Sequence, residues 1–136
     1  MSTSKVVTRA DLKAVLDEVL PSVAVDYVVE QGTSGIWTYR KWNSGIAECW
    51  GTHIETLSSY YTFTPFYAYY TTVTYPSGLF TAKPMLRYGV AIGSGFSVAA
   101  GNMVGSATQT NLYALASTGG DSQSCSFDIH AIGRWK

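Results

Sequence analysis

Acid–base or nucleophilic chemistry requires carboxylates, histidines or an activated thiol to converge, so those residues are the first to weigh. Their densest group lies in WTYRKWNSGIAECWG, residues 37–51, where Trp37, Trp42 and Trp50 surround Arg40, Lys41, Glu48 and Cys49. Glycoside cleavage would need a second carboxylate beside Glu48, and a nucleophilic thiol would need a base or cation beside Cys49. The segment supplies no second carboxylate, and Cys49 has no adjacent cation on its own face except through Lys41. The other candidates, Glu55, Asp121, Asp128, His53 and His130, are scattered and could meet only through folding. Cys49 and Cys125 have no CxxC spacing and no histidines at metal-ligand intervals, which favours buried free thiols over a disulfide or a metal site. No phosphate loop, zinc spacing or nucleophile elbow occurs, so neither cofactor nor metal is expected.

A structural reading accounts for the same segment. If Asn43, Ser44 and Gly45 form a three-residue hairpin loop with Gly45 left-handed, Arg40 faces Glu48, Tyr39 faces Cys49 and Thr38 faces Trp50. One face of the ribbon then carries Thr38, Arg40, Trp42, Ile46, Glu48 and Trp50. Arg40 and Glu48 become a cross-strand pair flanked by indoles, a structural role rather than a catalytic one.

The elements that must position these residues are mostly strands. At 136 residues the chain suits one domain, and 13% charged residues with zero formal net charge give no basic cluster for nucleic acid. The segment MSTSKVVTRADLKAV lacks the apolar run of a signal peptide, and no stretch approaches membrane-spanning length. The expectation is a soluble chain synthesised in the cytoplasm, without membrane insertion. TRADLKAVLDEVLP predicts a short helix with Thr8 as N-cap, Asp11 three residues on and Pro21 as its end. Leu12, Val15, Leu16, Val19 and Leu20 form its apolar stripe, which must pack on the domain or on copies of itself.

Beyond Pro21 the apolar pattern alternates, in AVDYVVEQ, IWTYRKW, GIAECWG, THIETL, MLRYGVAI, GFSVAAG, TNLYALAS and CSFDIHAIGRW. Short runs of this kind predict a mainly β fold, an antiparallel sandwich or barrel preceded by one helix. In the last run Cys125, Phe127, Ile129, Ala131, Gly133 and Trp135 share one face, with Asp128 and His130 on the other. The division expected is an N-terminal helix over residues 1–24, as a trimerisation or shaft segment, and a β head over residues 25–136. Low charge with 14% aromatic residues also suggests apolar surface buried between subunits.

The runs WTYRKWNSGIAECWGTH, YPSGLFTAKPML and HAIGRWK resemble the C-terminal head domains of phage and prophage tail-fibre and receptor-binding proteins, especially those of phages with Gram-positive hosts. The resemblance extends from about residue 26 to residue 136. It implies a β-rich head, usually an intertwined homotrimer, on the virion tail beside other tail proteins and adhering to host cell-surface glycans. Such fibres normally carry a long shaft, where here only a short helix precedes the head.

A ligand surface is expected in SSYYTFTPFYAYYTTVTYPSG, residues 58–78, which is rich in tyrosine and free of charge. Tyr60, Tyr61, Tyr67, Tyr69 and Tyr70 are the candidates, since tyrosine offers a flat apolar face and a hydroxyl suited to sugars. The same residues are ordinary strand formers, and alternation would bury about half of them. Non-catalytic adhesion is therefore the reading, with a virion-associated glycan depolymerase and a ligand-free fibre-trimerisation module as alternatives.

Overall fold

The structure, a computed structural model, describes residues 8–15, 25–93, 98–99, 105–117 and 122–136. Helix α1 covers residues 9–15. Its start is the expected reciprocal cap: the Thr8 amide donates to Asp11 Oδ2 at 3.1 Å, and the Asp11 amide donates to Thr8 Oγ1 at 3.2 Å. The Thr8 hydroxyl also donates to Asp11, and these bonds hold the Asp11 carboxyl below its ordinary range. Leu16, Val19 and Leu20 of the stripe, and Asp121, lie outside the described residues.

The body is an antiparallel β-sandwich, as the alternation predicts. Its strands are β1 (Val28–Ser34), β2 (Trp37–Trp42), β3 (Ile46–Leu57), β4 (Tyr60–Phe63), β5 (Phe66–Thr74), β6 (Met85–Ile92), β7 (Val98–Ala99), β8 (Gln109–Ala116) and β9 (Gln123–Arg134). One sheet has the order β1-β2-β3-β9-β6 and the other β4-β5-β8-β7. GIAECWG and THIETL form one long strand, β3, paired along its whole length with β9 from Ile46↔Arg134 to Leu57↔Gln123. The tyrosine-rich segment forms its own hairpin, β4 and β5, closed at Thr64 and Pro65.

Period-two burial assigns the faces. Cys125, Phe127, Ile129 and Ala131 of β9, with Ala47 and Cys49 of β3, turn inward against Tyr69 and Val73 of β5 and Leu112, Ala114 and Ala116 of β8. The sheets are also joined by polar contacts: Trp37 Nε1 donates to the Thr74 carbonyl at 2.8 Å, and the Tyr113 amide donates to the Tyr88 hydroxyl at 3.1 Å. Both cysteines are buried and free, on different strands. Burial, with the Glu48 charge adding to it, pushes the Cys49 thiol up to about 12, the opposite of an activated thiolate.

The hairpin forms in the expected register, with Thr38↔Trp50, Tyr39↔Cys49, Arg40↔Glu48 and Lys41↔Ala47. Gly45 closes its loop at φ 98°, and the Gly45 amide donates to the Trp42 carbonyl at 3.0 Å. The end of the chain seals this corner. The Trp135 amide donates to the Gly45 carbonyl at 2.9 Å, and Trp135 Nε1 to the Trp42 carbonyl at 2.8 Å. The Thr81 amide donates to the Arg134 carbonyl at 2.8 Å, which brings in the YPSGLFTAKP segment, whose Tyr75, Leu79 and Phe80 are buried in the core. Lys41 and Lys136 lie 5.5 and 4.9 Å from the centre of the Trp135 ring. WTYRKWNSGIAECWG, YPSGLFTAKPML and GRWK thus meet at one end of the sandwich, where they close it.

Candidate functional site

The β4–β5 hairpin divides the candidate tyrosines by parity. Tyr60, Tyr67 and Tyr69 point into the sandwich; Tyr69 is fully buried, and Tyr60 and Tyr67 pack against the core and against each other at 5.4 Å in a T-shaped contact. Tyr69 is a core residue in this fold and is not presented to a ligand. Tyr61 and Tyr70 point outward, stacked with ring centres 4.7 Å apart and planes 17° from parallel. Strand β8 adds Tyr113, directly opposite Tyr70, with ring centres 6.5 Å apart.

The result is an aromatic ladder across three strands on the outer face of the four-stranded sheet. Beside it Asn111 Nδ2 donates to the Tyr113 hydroxyl at 3.4 Å, and the Thr72 hydroxyl donates to Asn111 Oδ1 at 2.8 Å. The neighbouring Tyr70 phenol, by its charge when ionised and by its hydrogen bond, raises the Tyr61 hydroxyl above its ordinary range. Tyr113 was not among the expected residues. Its alternation in TNLYALAS marks a strand position, but only the β5–β8 pairing reveals its neighbour.

Arg40 and Glu48 lie on the opposite surface, the outer face of the five-stranded sheet. Their closest approach is 4.0 Å, and Glu48 has a second partner in His130, whose Nε2 is 3.1 Å from Glu48 Oε2. The Arg40 guanidinium lies 5.1 Å from the Trp50 ring centre, and Trp50 meets His130 edge-on at 6.4 Å. Glu48 is therefore the centre of a small network in which each carboxylate oxygen has a cationic or imidazole neighbour. The network links β2, β3 and β9.

Among the described residues, Asp128 and Glu55 lie apart from Glu48 and from each other. Asp128 accepts from the Thr52 hydroxyl at 2.8 Å. The register pairs Asp128 with Thr52 and Glu48 with Ile132, four positions apart along β3, which at about 3.3 Å per residue is roughly 13 Å of backbone. Paired glycosidase carboxylates lie about 5–9.5 Å apart. Glu55 sits at the sandwich edge, where the Thr71 hydroxyl at 2.6 Å and His53 Nε2 at 2.8 Å hold its carboxyl below the usual range. Among the described residues no group of three or more His, Cys, Asp or Glu side chains could hold a metal ion, and no helix is long and apolar enough to cross a membrane.

Next to the Glu48 network, the outer face of the five-stranded sheet sinks into an open groove of about 480 Å³. Trp50 and Thr52 of β3, Asp128 and His130 of β9, and Arg87 and Gly89 of β6 line it.

No family model and no curated protein matches the chain. Among solved structures it is similar to an N-truncated R1-type pyocin tail fibre, with a TM-score of 0.56 and 14% identity over 86% of this chain and 94% of that one. It is equally similar to a Pseudomonas aeruginosa R1 pyocin fibre fragment comprising C-terminal residues 323–701, with a TM-score of 0.56 and 14% identity, of which the match covers 31%. The shared property is the fold.

Proposed function

We propose that the chain is the receptor-binding head of a tail fibre, in a phage or a phage-tail-like particle, and that it adheres without catalysis to host cell-surface glycans as a homotrimer. The observation that carries this reading is the likeness to a tail-fibre structure over 86% of this chain and 94% of the other. The ladder of Tyr61, Tyr70 and Tyr113, rimmed by Asn111 and Thr72, is the surface assigned to the glycan. The ring faces and edges that this stack leaves open accept the apolar faces of sugar rings, and the rim exchanges hydrogen bonds with their hydroxyls. Single-site binding of this shallow kind is weak, and presenting several heads on one particle multiplies it.

The separation of Glu48 from Asp128, and the engagement of Glu48 by Arg40 and His130, favour adhesion over depolymerisation. Retention of the purified protein on host-cell polysaccharide, measured together with the release of reducing ends, tests the reading. Retention without release is expected, and Tyr70→Ala should weaken it about ten-fold, the equivalent of roughly 1.4 kcal/mol. Release of reducing ends would establish the depolymerase, and neither retention nor release would leave the ligand-free trimerisation module.

A further inference from the structure

We infer that the groove on the outer face of the five-stranded sheet is a second saccharide site, one that takes a sugar bearing a carboxylate, such as a uronate unit. This extends the adhesion reading to the face opposite the tyrosine ladder and rests on that reading.

The strand register builds the site. Trp50, His130 and Arg87 form one row across β3, β9 and β6, and Thr52, Asp128 and Gly89 form the next. An indole, an imidazole, a guanidinium, a carboxylate and a hydroxyl thus surround one depression. At about 480 Å³ the depression is large enough for a sugar unit and its neighbour.

Gly89 supplies the room. A Cβ built at Gly89 would meet nothing within 4 Å, so neither close packing nor, at this strand position, a left-handed backbone calls for glycine. What a larger residue there would do is fill the groove between Arg87 and Asp128.

The charges indicate the ligand. Glu48 already has Arg40 and His130 as partners, and one Asp128 oxygen is engaged by Thr52. None of the ion pairs among the described residues includes Arg87, whose side chain is exposed at the groove. A planar guanidinium in this setting matches a carboxylate by two parallel hydrogen bonds. With the ligand carboxylate on Arg87, the ring lies over Gly89 against Trp50, and its hydroxyls donate to Asp128.

Calorimetric titration with trigalacturonic acid and with its methyl ester, which keeps the rings and removes the charge, tests the assignment. The acid should bind at least ten-fold more tightly than the ester and should shift the Trp50 indole N–H resonance. Arg87→Gln should erase the preference for the acid. Gly89→Val, which suits a strand and whose Cβ meets no heavy atom within 4 Å, should abolish binding without lowering the thermal midpoint. The groove assignment is overturned if the acid does not bind, if acid and ester bind equally, or if Arg87→Gln and Gly89→Val have no effect. A change of oligomeric state in Gly89→Val would also overturn it, by showing a second copy of the chain in the groove. Host-cell retention that survives in Arg87→Gln and Gly89→Val while the acid fails to bind leaves adhesion standing and removes only the groove; loss of retention in the wild type removes adhesion itself.

Discussion

Glu48 is held from two sides, by Arg40 on β2 and by His130 on β9, and the exposure of those partners decides what its removal costs. The Arg40 side chain is 43% exposed, against 18% for Glu48, so truncating Glu48 does not strand a buried cation. Glu48→Ala should therefore destabilise the fold by about 0.5–1.5 kcal/mol in urea unfolding, the range of an ordinary hydrogen bond, because exposure weakens the charge-assisted contacts, and not by the roughly 3–5 kcal/mol of a broken buried pair. Glu48→Gln should recover part of the loss by keeping a hydrogen bond to His130. Glu55 makes a pH prediction. Its carboxyl is held below the ordinary 4.5, chiefly by the Thr71 hydroxyl and then by His53. A depressed folded value means that the folded state favours the ionised form. The stabilisation is thus present above the ordinary value and lost as pH falls through the lower folded value. Wild type should lose thermal stability below about pH 4.5 more steeply than Glu55→Gln, which lacks the ionisation; parallel pH profiles would show that the Thr71 contact is not kept in solution.

At the scale of elements, the hairpin, the capping of α1 and the inward face of β9 were all legible, because each depends on residues close in sequence. Asn43-Ser44-Gly45 sets the β2–β3 register by itself, and Cys125, Phe127, Ile129 and Ala131 alternate without interruption. What the sequence does not reveal is which strand lies beside which. His130 reads only as an outward position of the last strand, and its bond to Glu48 exists because β9 lies between β3 and β6. For the same reason Tyr113 and the groove around Gly89 could not be found from spacing, and the inward turn of Tyr69 depends on the register of a hairpin without a glycine turn signal. The continuity of β3 through Gly51 has another cause. The carbonyl of Ile36, in the β1–β2 turn, occupies the space that a Gly51 side chain would fill. Gly51→Ala should accordingly cost about 1–3 kcal/mol, the usual range for overpacking. Equilibrium unfolding would measure it, and a neutral result would show that the turn moves aside freely.

Among the apolar groups that the described residues leave in water, two sets bear on assembly. On α1, Leu12 and Val15 keep 53% and 54% of their surface exposed, although a helix this short is marginal without a partner. On the outer face of the five-stranded sheet, Met85 and Ile132 are 66% and 41% exposed and directly opposite each other, with Ile46 nearby on β3 at 39%. With only 13% charged residues, little surface charge offsets this exposure. A closed ring buries such groups between successive subunits, and the expected state is a homotrimer of about three times 14.7 kDa by light scattering. The two surfaces make separable predictions. Leu12→Ser with Val15→Ser should lower the trimer fraction without shifting the unfolding midpoint of the isolated sandwich if the helices meet on the axis. Met85→Lys with Ile132→Lys should do so if the sheets meet instead, since a pair of opposed lysines would put like charges into the interface. If the wild type is a monomer of unchanged mass over a hundred-fold range of concentration, neither surface is an assembly contact, and the multivalent form of the adhesion proposal falls with them.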